Sequence, residues 1–424
     1  MATKKASKKT SGKTTKPARA KAKRSPKRGA SVKAAKRAGK LPTGKGLSVL
    51  MLGTGAVAYP TTMLLREALP DIELFMAKRS WRDENIGRMA RLCEHYGVKL
   101  AVHREVYDRF GDAEFHGFRY PVATTVEEAA SRVSCIVDCT GQDIKAWYED
   151  LLAARPRKSL RGIAAEGGIG EFGPQFIYGL TDTALDLRLE RRVEIPSCNT
   201  HAMSAVVWAL ADSGKDIDRI RQVVAFIDRR NQDIGKEGGA VQTMTFEPLV
   251  DDDFGTHQAR DAYDVIIAAL GGRVPPNFRM VSHATKLPQP LMHAIHFGIT
   301  VEGEWTREMV HKRMEKFPLL AFTDYRAMGQ VYDEFCSTSF VSRGYDYAVI
   351  IDSQTQVVPW VGQGVLLEPG GCRYSTVLMS VLVPQEGNAI LSNLACAIKY
   401  LYPDDYQAIV EAVIAKKHLL TTIV

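Results

Sequence analysis

The chain lacks any long apolar run: no stretch approaches the roughly 18–20 uncharged residues that a membrane-spanning helix needs, so no membrane partner is expected. It also lacks paired cysteine spacing. Cysteines 93, 135, 139, 198, 336, 372 and 396 are scattered, which argues against a disulfide framework or a zinc site. With no secretory signal ahead of them they read as reduced thiols of a cytoplasmic protein, and no metal is expected.

Acidic and aromatic residues are missing altogether from residues 1–46, which nevertheless hold 17 lysines and arginines. The formal charge of +8 therefore belongs to this arm, and the other 378 residues carry −9. An arm of Lys, Arg, Ala, Ser, Thr, Gly and Pro cannot bury enough apolar surface to offset its ordering entropy, so residues 1–46 are expected to be disordered. Three readings of the arm stand side by side: a weak, salt-dependent nucleic-acid tether, a targeting peptide, or a solvated extension without a dedicated partner.

What is present after the arm is an alternation of strands and helices. Apolar runs at 47–52, 72–77, 134–138, 162–165 and 193–195 alternate with helical patterns at 125–132 and 144–154. This predicts an α/β fold with a parallel sheet. From about residue 218 the runs lengthen and become β-rich, at 222–228, 241–249, 294–301, 347–352 and 376–383. Two helices are predicted to close the chain, at 389–401 and 404–415.

Gly53-Thr54-Gly55-Ala56-Val57-Ala58 follows the first strand and opens the first helix, where a dinucleotide fingerprint works. Gly53 permits the tight turn, Gly55 lets a pyrophosphate approach the backbone leading into Ala56 and Val57, and Ala58 lets helix and strand pack closely. A tight turn needing only backbone freedom would have the same glycines. At the end of the second strand an NAD site usually places an acidic residue. Here Ala77-Lys78-Arg79-Ser80 offers two cations, which suit a 2′-phosphate. NADP is thus an expected cofactor beside NAD, unless Lys78 and Arg79 only solvate a strand end.

Cys198 is the one cysteine placed for reactivity. A short strand ends at Ile195-Pro196-Ser197, and Met203, Val206, Val207 and Leu210 then recur at helical spacing. The thiol lies at a helix N-terminus, where the dipole and free N–H groups favour a thiolate and could hold an oxyanion. A buried inert thiol is the alternative. Ten histidines could serve it as a base. His293 and His296 begin an apolar strand and face opposite sides of it, so at most one of them reaches a given pocket.

Several further segments recur in one order: Asp138-Cys139-Thr140, Gly167-Gly168, Ser197-Cys198-Asn199-Thr200, Asp228-Arg229-Arg230, Thr256-His257-Gln258 with Asp261, Pro288 with Leu291-Met292-His293, and Gln385-Glu386. Together, from about Ser48 to the closing helix, they resemble the type II (archaeal-type) glyceraldehyde-3-phosphate dehydrogenases. The resemblance implies Cys198 as nucleophile and His293 as general base. It implies cofactor contacts at Gly168, Gln385 and Arg229. Substrate contacts fall to Ser197, Asn199, Thr200, Arg230, His257 and Gln258. It also implies a homotetramer and the family's fold: a Rossmann NAD(P)-binding domain (47–196, completed by 385–424) with an α+β catalytic domain (197–384) between. The implied substrates are glyceraldehyde 3-phosphate and inorganic phosphate.

The chain departs from the family pattern at His201-Ala202-Met203, Gly141 and Gln258. His201 reads either as an extra phosphate donor or as a tolerated substitution in the helix's first turn. Two other functions remain open: a thiol-dependent dehydrogenase of another aldehyde, such as aspartate semialdehyde, and a nucleic-acid-associated protein with a degenerate dehydrogenase body.

Overall fold

The computed structural model describes residues 41–78, 85–111, 114–115, 117–166, 172–232, 240–359 and 374–424. Most of the basic arm, Arg79, Gly168 and Cys372 lie outside the described residues. The last six residues assigned to the arm differ from expectation. Thr43 accepts the Asp71 N–H at 2.7 Å, and Gly44 sits where a Cβ would meet Ile72 and Leu69 at 2.8 and 3.0 Å, so this stretch packs on the body.

Among the described residues, the first half of the chain supplies nine strands: β1 (Ser48–Leu52), β2 (Glu73–Lys78), β3 (Lys99–Val102), β4 (Glu114–Phe115), β5 (Phe118–Arg119), β6 (Val122–Thr125), β7 (Cys135–Asp138), β8 (Gly162–Glu166) and β9 (Arg192–Ile195). Helices α1 (Ala58–Ala68), α2 (Ile86–Tyr96), α3 (Tyr107–Gly111), α4 (Val126–Arg132) and α5 (Lys145–Ala154) connect them. Seven of these strands form one all-parallel sheet in the order β6-β3-β2-β1-β7-β8-β9, while β4 and β5 make a separate hairpin. Val49, Leu50 and Met51 in β1 and Ile136 and Val137 in β7 are buried, as strands covered on both faces must be. The strand order runs outward in both directions from β1 and β7, which leaves a crevice beyond their carboxyl ends.

After α6 (Cys198–Leu210) the chain builds a second sheet. Its strands are β10 (Ile220–Arg229), β11 (Thr245–Phe246), β12 (Arg279–Lys286), β13 (His293–Glu302), β14 (Leu320–Thr323), β15 (Ala348–Ile351), β16 (Gln356–Pro359) and β17 (Tyr374–Val383). They run β11-β12-β10-β13-β17-β15-β14, with β16 also paired to β17. Helices α7 (His257–Ala269), α8 (Arg307–Met314) and α9 (Met328–Thr338) lie between them, and α7 and α8 pack on α6. In β13, His293 is buried and His296 exposed, as the period of two requires. The strand expected over 241–249 shrinks to β11. Met244, Phe246 and Leu249 stand exposed there, so nothing buries the run that would have made it a longer strand.

Two helices close the chain, α10 (Ile390–Leu401) and α11 (Tyr406–Lys417). Every residue of α10 is buried, and the helix packs on α1, β7, β8 and α11. The C-terminal segment thus returns to the first sheet.

Candidate active site

The β1–α1 turn supplies the first half of the site. Gly53 has φ +103°, a conformation L side chains rarely adopt, and a Cβ there would stand 3.4 Å from the Cys139 carbonyl oxygen. Beyond it opens a cavity of about 640 Å³ at the ends of β1, β2 and β3, lined by Leu52, Gly53, Thr54, Ala77, Lys78 and Thr140 among others. The β7 end is pinned by Asp138, which accepts the Thr140 N–H at 2.8 Å and the Tyr148 hydroxyl. A dinucleotide fits this arrangement: a glycine turn, a roomy concavity and the start of α1 lie together. Lys78 lines the cavity but is itself buried, its ammonium 6.0 Å from the Tyr120 ring centroid. Gln385 is not among the residues lining it; it lines a small cavity beside Arg230, Arg343 and Glu386.

The second half is built at the junction of β9 and α6. Pro196 and Ser197 end the strand. Ser197 caps the helix, its Oγ accepting the Thr200 N–H at 3.2 Å and lying 2.9 Å from Thr200 Oγ1. Cys198 is therefore the first helical residue, half-buried, with its carbonyl accepting the Asn388 side-chain amide at 2.9 Å. Burial pushes its thiol up to about 12, against the opposing pull of Arg230, Arg229 and the Asn199 N–H. The thiolate favoured by the helix N-terminus is thus outweighed at rest by desolvation.

Arg229 ends β10 and Arg230 follows it, and the two arginines part company. Arg229 is about one-third exposed and pairs with Glu247. Arg230 is buried: its guanidinium donates to the carbonyls of Pro290 and Leu291 at 3.5 and 3.3 Å and meets Glu386 at 3.3 Å. Glu386 also holds Arg343 at 3.0 Å. The backbone N–H of Arg230 donates to Nδ1 of His293 at 2.9 Å. His257 and Gln258 open α7, the first exposed and the second buried.

His201 does not stand at a pocket rim. It is fully buried, with Nδ1 3.0 Å from the Ser197 carbonyl oxygen and Nε2 2.9 Å from Ser392 Oγ. Both ring nitrogens are engaged inside the protein, so it is not placed as a phosphate donor. Ser392 also accepts the Tyr178 N–H at 3.1 Å and lies 3.1 Å from the Tyr347 hydroxyl. One residue on, Asn393 donates to Glu166 at 2.9 Å, and burial pushes that carboxyl up to about 7. Asn388, Ser392, Asn393 and Glu166 are the residues that reading the sequence missed. For Ser392 and Asn393 the available signal was a polar pair inside a largely apolar helix, because buried polar groups in such a setting need a partner.

A glycine turn opening on a cavity at the strand ends of a parallel sheet, in a chain whose relatives are dehydrogenases, marks an NAD(P)-linked oxidoreductase on a Rossmann fold. No model of a known protein family matches the chain. It is 24% identical over 276 residues, 64% of its length and 72% of the other, to a protein named glyceraldehyde-3-phosphate dehydrogenase from Saccharolobus islandicus (strain L.S.2.15 / Lassen #1). It is 23% identical over 236 residues, 54% of its length and 64% of the other, to the protein of the same name from Methanosarcina mazei. Among solved structures, aspartate semialdehyde dehydrogenase II from Vibrio cholerae superposes with a TM-score of 0.56 at 12% identity, over 84% of this chain and 98% of that one. The fold is therefore the two-domain fold of glyceraldehyde-3-phosphate and semialdehyde dehydrogenases. The relatives support an oxidoreductase of the thiol-dependent aldehyde dehydrogenase kind. Among the described residues no helix is long and apolar enough to cross a membrane, and no cluster of three His, Cys, Asp or Glu could hold a metal.

Proposed function

We propose that this protein is a phosphorylating, NAD(P)-dependent glyceraldehyde-3-phosphate dehydrogenase working through Cys198. The observation that carries the reading is Cys198 at the N-terminus of α6, anchored through Asn388 and lying in the field of Arg229 and Arg230, the second of which bonds His293 through its backbone amide. Cys198 Sγ bonds to the aldehyde carbon, and its thiol proton leaves to a base; the half-buried Glu166 carboxylate, close enough to raise the thiol electrostatically, suits that role. A bound nicotinamide, NAD or NADP, supplies the hydride acceptor that turns the adduct into a thioester. Inorganic phosphate then attacks the thioester carbon, and Cys198 sulfur leaves to give an acyl phosphate.

Gly53, Gly55, Ala56 and Val57 would hold the cofactor's pyrophosphate, with Lys78 on the wall of the same cavity. For the substrate phosphate we assign Arg229 rather than Arg230, because Arg229, although paired with Glu247, is about one-third exposed, whereas the Arg230 guanidinium is buried against Glu386 and two carbonyls. Ser197, Asn199, Thr200, His257 and Gln258 complete the proposed substrate side. Phe226 and Leu378, exposed on the open face of the second sheet, suit contact with a second copy, in keeping with a homotetramer that light scattering would test.

The test is reduction of NAD and NADP with glyceraldehyde 3-phosphate, with and without inorganic phosphate. Phosphate-dependent turnover, abolished by thiol alkylation and by Cys198→Ser with cofactor binding retained, is the expected result. Near-normal rates in Cys198→Ser would reject the covalent route. Turnover on aspartate semialdehyde in place of the phosphorylated aldehyde would reject the substrate.

A further inference from the structure

His201 stands in the first turn of α6, and its contacts fix its tautomer. Nδ1 lies 3.0 Å from the Ser197 carbonyl oxygen, with the Pro196 carbonyl as a second acceptor beside it. A carbonyl can only accept, so Nδ1 carries the ring proton. Burial keeps the ring neutral, which leaves a lone pair on Nε2. Ser392 Oγ, 2.9 Å away, therefore donates its proton to Nε2, while its own lone pair receives the Tyr178 N–H at 3.1 Å. The Tyr347 hydroxyl donates to the Tyr178 carbonyl at 2.7 Å, and the Tyr347 ring packs edge-to-face with the imidazole, centroids 5.0 Å apart. The imidazole is thus held at both nitrogens and against a neighbouring ring.

The Ser197 carbonyl is held twice by this one residue. It accepts the His201 backbone N–H at 3.0 Å as well as the Nδ1 proton. That oxygen belongs to the planar Ser197–Cys198 peptide, so fixing it fixes the direction of the Cys198 N–H. Cys198 opens α6, and an N–H at that position has no partner within its helix. The next peptide is held separately: its carbonyl accepts the Asn388 amide at 2.9 Å, and its Asn199 N–H turns to the Cys198 sulfur. Both peptide planes flanking the thiol are therefore anchored from the end of the chain, one by Asn388 directly and one by Ser392 through His201.

We propose that His201 is a positioning residue for the Cys198 reaction: it clamps the Ser197–Cys198 peptide so that the Cys198 N–H faces the carbonyl oxygen of the group that the thiol attacks. The inference rests on the covalent chemistry proposed above and adds to it a buried residue at a position where the chain departs from the pattern it otherwise resembles. As sulfur bonds to the carbonyl carbon, the C=O electron pair moves onto oxygen, and a donor already held in place stabilises that charge without reorganising. An untethered peptide has to be turned into place in each transition state and loses part of that stabilisation. Displacement at a saturated carbon builds no oxyanion and draws nothing from this donor.

The test compares two reactions of the same thiol in the full chain, with Cys198→Ser subtracting reaction at other cysteines. p-Nitrophenyl acetate acylates Cys198: sulfur bonds to the acetyl carbon, p-nitrophenolate leaves with its electron pair, and the thiol proton passes to solvent. Iodoacetamide alkylates the same sulfur at a saturated carbon, iodide leaving. His201→Leu is expected to slow acylation by about 10–10²-fold while alkylation changes by less than about twofold. His201→Asn, whose side-chain amide restores a donor toward the Ser197 carbonyl, should recover most of that loss. Equal losses in both reactions, as a merely displaced thiol would give, overturn the proposal, and so does unchanged acylation in His201→Leu. Where His201→Leu fails to fold, the wild type decides by ¹⁵N-histidine NMR, with His201→Asn identifying the ring by its loss. A protonated Nδ1 and an unprotonated Nε2 are expected, and the reverse overturns the clamp. None of these measurements needs an aldehyde, a cofactor or phosphate. A wild type that acylates but reduces neither NAD nor NADP with glyceraldehyde 3-phosphate would defeat the proposed function and leave the clamp standing. A wild type that alkylates without acylating would overturn the clamp itself.

Discussion

The burial of His201 makes a quantitative prediction about acid stability. Its ring lies wholly inside the protein between the Ser197 carbonyl and Ser392, and burial lowers its pKa from 6.5 to about 4. At pH 7 the residue is neutral in both folded and unfolded chains and has no effect. Below 6.5 the unfolded chain takes up a proton that the folded chain refuses, so stability falls with pH until the folded ring protonates near 4. At 1.36 kcal/mol per tenfold change in proton affinity, the full loss is about 3 kcal/mol, of which about 2 kcal/mol has gone by pH 5. Other groups titrate in the same range, among them Glu166 and Asp261, both raised to about 7. The comparison is therefore with His201→Gln, in which those groups are unchanged. Urea unfolding at pH 7, 6 and 5 should show wild type losing about 2 kcal/mol more than the variant across that span. Parallel stability curves for the two proteins would refute the reasoning.

Three other substitutions test the scaffold around the thiol. Asn388→Ala removes the donor to the carbonyls of Cys198 and Tyr347, at 2.9 and 3.2 Å. Each acceptor left unsatisfied costs about 1–3 kcal/mol, so a lowered urea midpoint and altered Cys198 alkylation are expected together. Gly387→Ala would place a Cβ 1.7 Å from the Gly344 carbonyl oxygen, backbone against backbone. It should cost about 3 kcal/mol or more, and a melting temperature equal to wild type would show that the two loops do not meet as described. Gly53→Ala forces a side chain onto φ +103°, so cofactor affinity measured by fluorescence titration should fall while Cys198 remains open to alkylation.

The parallel sheet was legible because β1, β7, β8 and β9 are short apolar runs whose burial on both faces leaves a continuous signal. Strands such as β3 and β6 were not picked out. Lys99-Leu100-Ala101-Val102 is brief and opens on a charge, and β6 carries Thr124 and Thr125. Cys198 was legible from the strand-to-helix pattern around it, as was the outward turn of His296 from the period of two. Hydrogen bonds across long sequence distances were not. Nothing near His293 in the sequence announces that the amide of Arg230 meets its ring, and nothing near Cys198 points to Asn388. The fate of the paired arginines was hidden for the same reason: Glu386, which claims Arg230, lies 156 residues away.

The position of α10 bears on how the protein is made. Asn388, Ser392 and Asn393 hold the Cys198 carbonyl, His201 and Glu166, while α10 covers β7, β8 and α1 of the first sheet. A ribosome delivers the β1–α1 turn and Cys198 long before this helix emerges. Until then one side of the first sheet stays uncovered and the cysteine loop lacks its anchor. Reactivity at Cys198 would then be acquired late in synthesis, after residue 393 has left the exit tunnel. A nascent chain stalled before that point should bind chaperones through the exposed sheet surface and show the thiol chemistry of an unstructured cysteine.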